Sequence, residues 1–180
     1  MNILLGFAPY IASFVVMHIG SVIAGLWAAF VVALAIFVHG WVRTRSAKIL
    51  EVGNLALFAA LALFTMVTHW EWTLMAVRLT TDTGLLMIIL ISLALGRPFT
   101  IQYARERVPQ QYWDTPQFLA VNRTITWVWA AAFAVMVTSH AAAVVMPDKL
   151  VGIDIAITML ALVGAYKFST WYPEQARGTA

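Results

Sequence analysis

Residues 21–45 read SVIAGLWAAFVVALAIFVHGWVRTR. The part from Ser21 to Val42 carries no formal charge, and roughly 20 such residues cross the ~30 Å hydrocarbon layer of a membrane as a helix. Trp41 stands just before Arg43 and Arg45, which is the usual order of an interfacial aromatic residue and cytoplasmic basic residues. The stretch therefore predicts a transmembrane helix with its basic end in the cytoplasm.

Five further apolar stretches flank this one, at residues 3–19, 50–70, 73–95, 125–146 and 151–168. Hydrophobic residues make up 62% of the chain and charged residues 11%, a composition typical of membrane proteins. The apolar runs are continuous, which favours helices. We expect an all-α, polytopic membrane bundle of about six spans within a single transmembrane domain, residues 1–180. The first stretch is short and contains Pro9, so there are five spans if it is re-entrant.

The basic residues are distributed unevenly between the connections. Nine of the 11 lie in alternate connections, and two lie on the other side. The nine are Arg43, Arg45, Lys48, Arg97, Arg105, Arg107, Arg123, Lys167 and Arg177, and the two are Arg78 and Lys149. This bias predicts a multi-pass protein of the bacterial inner (plasma) membrane with a cytoplasmic C-terminus.

Composition and motifs exclude several function classes. The chain has no cysteine, so disulfides, thiolate metal sites and cysteine nucleophiles are ruled out. It has no glycine-rich phosphate loop, serine elbow or zinc-protease motif, so we do not predict an enzyme. The pI is about 9.5, but the basic residues lie at helix ends, where anionic lipids rather than nucleic acids are found.

One extended polar segment, residues 97–123, interleaves arginines with aromatic residues and is divided by prolines. We expect it to lie in the cytoplasmic headgroup layer, with guanidinium groups toward phosphate and rings toward lipid or helix ends. Its candidate lipid- or partner-binding residues are Arg97, Tyr103, Arg105, Arg107 and Trp113, and Tyr112 and Phe118 are expected to point the same way as the other rings.

Polar residues near the outer ends of the spans form a second candidate site. Arg78 and Asp82 are one helical turn apart and are expected to form an ion pair that faces the bundle interior. If the fourth stretch begins only near Leu79, Arg78 is instead an interfacial anchor and Asp82 its partner. His18, His69, His140 and Asp154 fall at similar depth, and this outer polar cluster has three interpretations. The histidines could form interfacial hydrogen bonds only, could bind a transition metal, or could ligate haem through His69 and His140. No motif spacing supports a cofactor, so we predict none.

Glu51 directly follows the basic loop between the second and third stretches. It is expected to form a surface ion pair with Lys48, and the alternative is a polar group with His39, Asn54 and Lys167 between the second, third and sixth stretches.

Several short motifs follow one another along the chain in an order that is similar to that of a known family. They are Phe7-Ala8-Pro9, Trp41-Val42-Arg43, Arg97-Pro98-Phe99, then Trp113, Asn122 and Trp129, and finally Tyr172-Pro173-Glu174. This layout resembles the bacterial intracellular septation protein A family, and the resemblance implies an inner-membrane role in envelope synthesis and cell division. Residues 102–106 and the Arg78–Asp82 pair depart from the family pattern.

Three hypotheses of function follow. The first is a non-enzymatic protein of the cell envelope and septation that acts through membrane lipids or other membrane proteins, without nucleic acid. The second is a small-solute or ion transporter or channel, suggested by charges within spans. The third is a haem- or quinone-associated redox subunit based on His69 and His140.

Overall fold

The structure, a computed structural model, describes the backbone of residues 3–178 and their side chains except at 3, 4, 44, 147–149, 177 and 178. The described residues are 86% helical and contain no strand, which confirms the all-α prediction. After a short 3-10 helix, Ile3–Phe7, the helices are α1 (Ala8–Ile19), α2 (Val22–Thr44), α3 (Ile49–Thr68), α4 (Leu74–Ala94), α5 (Phe99–Ala104), α6 (Pro116–Val145) and α7 (Pro147–Gly178), with a second 3-10 turn at Gln110–Tyr112.

Five helices are long and apolar enough to cross a membrane. Their candidate spans are Val22–Arg43, Ile49–Thr68, Leu74–Ala94, Pro116–Val145 and Leu150–Ala176, while the first apolar helix, Leu5–Ile19, is shorter. The chain is therefore a multi-pass helical membrane protein. The sixth span stays a prediction, because Leu5–Ile19 falls short of the ~20 residues that a perpendicular crossing needs.

The chain forms two compact units, Met1–Ile88 and Ile89–Ala180. The single domain over residues 1–180 remains a prediction. In the first unit, α2 packs between α1 and α3 around Leu26, Ala29, Phe58, Ala62 and Val77. Gly25 permits the close approach of α1, because a Cβ at this position would lie 2.9 Å from the carbonyl oxygen of Ser13.

The second unit consists of the end of α4, the short α5, and the hairpin of α6 and α7. Trp129 is buried on α6, and its indole N–H donates to the Ser169 hydroxyl of α7 at 2.9 Å. Helix α5 packs against α6 through Thr100, whose hydroxyl donates to the Asn122 carbonyl at 2.8 Å. A buried hydrogen bond of this kind fixes one helix on the other.

Both helices of the hairpin extend beyond the predicted apolar stretches. Helix α6 begins at Pro116 rather than near residue 125, because the Thr115 hydroxyl caps it by accepting from the Phe118 N–H at 3.3 Å, with Pro116 in the first turn. Helix α7 continues past residue 168 to Gly178. Hydropathy marks the apolar part of a helix, not its hydrogen-bonded ends.

Candidate functional sites

A buried polar group of the α6–α7 hairpin is centred on Asp154. The Asp154 side chain is 1% exposed, and its Oδ1 accepts two hydrogen bonds. The Ser139 hydroxyl donates one at 2.7 Å, and Nδ1 of the buried His140 lies 2.6 Å away. Since an ionised carboxylate only accepts hydrogen bonds, Nδ1 is the donating nitrogen when Asp154 is charged. We call these three residues, together with Thr158, the Asp154 site.

The other carboxylate oxygen of Asp154 has a different environment. Oδ2 is buried and has no hydrogen-bond partner, and neither has the buried hydroxyl of Thr158. Thr158 lies one helical turn after Asp154, so both side chains project from the same face of α7. The Asp154 site thus contains two buried oxygens available to a ligand.

This arrangement does not activate a nucleophile. In a catalytic triad the serine hydroxyl contacts the imidazole, which in turn contacts the carboxylate. Here Ser139 and His140 both contact Asp154 Oδ1. Within the described part of the chain, no three histidine, cysteine or acidic side chains are grouped so that they could hold a metal ion.

Four of the six residues predicted to form the outer polar cluster lie in the first unit, and His140 and Asp154 lie in the second. His18 is exposed, with Nδ1 2.7 Å from the Phe14 carbonyl oxygen. His69 ends α3 with a φ of 52° and is exposed. Among these residues, the structure shows a direct contact between His140 and Asp154.

Arg78 and Asp82 both lie on the first-unit part of α4. The Arg78 guanidinium lies over the ring of Phe14, 4.9 Å from its centroid, and Asp82 is 9% exposed. A cation–π contact offsets part of the cost of a charge in a span. The Arg78–Asp82 ion pair stays a prediction.

Glu51 and Lys48 form the expected ion pair, but the pair is buried. Lys48 Nζ lies 3.4 Å from Glu51 Oε1, and the side chains are 4% and 1% exposed. The predicted surface location is wrong because Glu51 faces α2 at Gly40, where a Cβ would lie 2.8 Å from Glu51 Oε2. A side chain at position 40 would push the carboxylate away from this helix.

Sequence reasoning missed a polar contact that lies beside this pair. Asn54 is buried, accepts from the Tyr10 hydroxyl at 2.9 Å and donates to the Gly6 carbonyl at 2.7 Å. The available signal was the spacing of Glu51 and Asn54, which puts both polar side chains on one face of α3.

The polar segment, residues 97–123, presents exposed arginines. Arg97, Arg105 and Arg107 are exposed, and the Arg105 guanidinium lies 5.0 Å from the centroid of the Trp113 ring. The Trp113 indole N–H donates to the Val108 carbonyl at 2.8 Å, which fixes the ring. We call these four side chains, Arg97, Arg105, Arg107 and Trp113, the basic surface.

Tyr103 does not belong to this surface. Its side chain is 5% exposed and packs edge-on against the buried Phe99 ring, with centroids 6.3 Å apart. Of the two expected environments of Tyr103, lipid or helix ends, the structure rules out lipid, because α5 turns this side chain into the protein.

No protein-family model, curated protein or solved structure matches this chain.

Proposed function

We propose that this chain is a non-enzymatic protein of the bacterial inner membrane that acts by binding, and that its basic surface binds anionic lipid headgroups. The observation that carries the proposal is the Arg105 guanidinium held over Trp113, with Arg97 and Arg107 exposed in the same segment. Guanidinium groups bind phosphate oxygens through paired N–H donors.

The packing of α5 supports the proposal. Phe99 and Ile101 are buried, and Thr100 is bonded to the Asn122 carbonyl, so the chain that leads to Arg105 is anchored to α6. An anchored cation loses less conformational freedom on binding than one in a flexible loop. Each basic residue near an anionic membrane surface contributes about 1 kcal/mol.

The cellular setting is part of the proposal. The charge bias supports a cytoplasmic location for the basic surface and the C-terminus, facing the leaflet that carries negative surface potential. The resemblance to the septation protein A family supports a role in envelope synthesis and division. In that role the protein would bind lipids and other membrane proteins.

Lipid retention by purified protein tests the proposal. Detergent-solubilised protein is incubated with phosphatidylglycerol or phosphatidylcholine, and the bound lipids are counted by native mass spectrometry. The double variant R105Q/R107Q should bind phosphatidylglycerol about 30-fold more weakly, which corresponds to about 2 kcal/mol for two cations.

The matched control is R43Q/R45Q, which removes the same charge from the exposed end of α2. This control should lose less phosphatidylglycerol than R105Q/R107Q does, so the difference between the two variants measures the contribution of the basic surface. If R105Q/R107Q loses no more than R43Q/R45Q, the basic surface is not a lipid site.

A transporter or channel is the second candidate function, and the buried Asp154 site favours it. Ionisable groups within spans usually face an ion pathway or the protein interior. Flux of Na⁺ or protons into liposomes that contain the purified protein would support this candidate, and ion-tight liposomes would reject it.

A further inference from the structure

The hydroxyl of Thr158 lacks the hydrogen bond that several other threonines of the spanning helices make. Thr65, Thr126 and Thr138 donate to the carbonyl one turn earlier, at 2.8, 2.9 and 2.8 Å. This local bond is the usual way to satisfy a hydroxyl in an apolar helix. The Thr158 hydroxyl is buried and lacks such a bond.

Asp154 shows the same asymmetry between its two carboxylate oxygens. Both donors, Ser139 and His140, contact Oδ1, and the buried Oδ2 has none. A buried polar atom without a partner is costly and requires an explanation, such as a bound ion. Oδ2 and the Thr158 hydroxyl lie on the same face of α7, one turn apart.

We propose that Asp154 and Thr158 bind a monovalent alkali cation such as Na⁺ through Oδ2 and Oγ1. Hard cations prefer carboxylate and other oxygen ligands, and both free atoms of the site are oxygens. Ser139 and His140 are positioning residues, since their bonds to Oδ1 hold Oδ2 in place. This inference goes beyond the proposed lipid binding and involves none of the same residues.

The charge of the site selects the class of cation. A neutral imidazole that donates from Nδ1 leaves one negative charge on Asp154, and a single positive charge neutralises it. A divalent ion would leave a net positive charge within the apolar span Leu150–Ala176. A transition metal would favour imidazole nitrogen, whereas the two atoms of the site that have no hydrogen-bond partner are oxygens.

Thermal unfolding of the full-length protein in detergent tests the proposal. Choline chloride is replaced stepwise by NaCl at constant ionic strength and pH, and the Tm is followed by intrinsic tryptophan fluorescence. A ligand that binds only the folded state raises the Tm as its concentration increases. We expect a saturable rise for the unmodified protein and none for D154N.

Two threonine variants make the test specific. T158V keeps the volume of the side chain and removes its oxygen, so half-maximal stabilisation should require several-fold more Na⁺. T138V is the matched control, because the Thr138 hydroxyl is satisfied by the Ala134 carbonyl on an exposed part of α6. Its Na⁺ dependence should equal that of the unmodified protein.

Several results would overturn the site. One is a Tm of the unmodified protein that does not change with NaCl. If acidification in choline chloride raises the Tm while NaCl does not, a proton rather than a cation neutralises Asp154, and the site is also rejected. Another is an unchanged Na⁺ midpoint in T158V. If D154N fails to fold, direct binding of ²²Na⁺ to T158V and T138V decides, and equal binding by both variants rejects the proposal.

Discussion

The Tyr10 hydroxyl lies 2.9 Å from Oδ1 of Asn54, and this hydrogen bond connects α1 to α3. The Asn54 amide N–H₂ also donates to the Gly6 carbonyl at 2.7 Å, so one side chain holds two points of the N-terminal segment. In an apolar environment these polar groups have few other partners. The short first helix therefore depends on Asn54 for its position.

We predict that Asn54→Leu destabilises the protein by about 1–3 kcal/mol, because it leaves both the Tyr10 hydroxyl and the Gly6 carbonyl without a partner. Tyr10→Phe removes only one of the two bonds and should cost about 0.6 kcal/mol, the average for hydrogen bonds within membranes. Reversible unfolding in mixed detergent measures both. Equal costs for the two variants would contradict the double role of Asn54.

Gly25→Ala should destabilise the first unit by roughly 1–3 kcal/mol, the usual cost of overpacking. The added methyl group would lie 2.9 Å from the Ser13 carbonyl oxygen. This oxygen belongs to the backbone of α1, which cannot move aside as a flexible side chain can. Gly164→Ala is the control, because a Cβ there meets nothing within 4 Å. It should be neutral or stabilise α7 by up to about 1 kcal/mol. A neutral Gly25→Ala would refute the close approach.

The sequence alone predicts the helical class and the five long helices well, because about 20 apolar residues in succession are a strong signal of a span. It predicts the ends of α6 and α7 poorly. The capping by Thr115 and the polar last turns of α7 depend on local hydrogen bonds and packing that a hydropathy pattern does not contain.

The buried ion pair of Lys48 and Glu51 predicts an asymmetric response to mutation. Lys48→Met or Glu51→Leu alone leaves one charge buried and should cost roughly 3 kcal/mol or more, whereas the double variant should cost clearly less. Unfolding of the three variants under one condition measures this. Additive costs would show that the two charges do not compensate each other.

Thr100→Val should release α5 from α6. The Thr100 hydroxyl contacts both the Asn122 carbonyl and the Thr126 hydroxyl at 2.8 Å, and all three residues are buried. Loss of these contacts should speed tryptic cleavage after Arg105 and Arg107 several-fold, because local unfolding exposes the segment. Thr138→Val is again the control, and equal cleavage rates would contradict this anchoring.

The candidate sites show a limit of sequence reasoning. His140 and Asp154 come from different helices, and no spacing in the sequence identifies them as partners. Burial of Lys48 and Glu51 also depends on packing, since a basic residue beside an acidic one in a loop usually indicates an exposed pair. The interleaving of arginines with aromatic residues predicts that Tyr103 faces lipid or helix ends, and it cannot tell which, because the burial of Tyr103 depends on how α5 packs.

The cytoplasmic location of the basic surface, where it can bind anionic lipid, is tested most directly by cysteine labelling. The absence of cysteine makes single-cysteine labelling direct. Ser46→Cys and Gln111→Cys should resist a membrane-impermeant maleimide in intact cells and react after permeabilisation, whereas Glu71→Cys should react in intact cells. Labelling of Gln111→Cys in intact cells, with Glu71→Cys protected, would contradict the account.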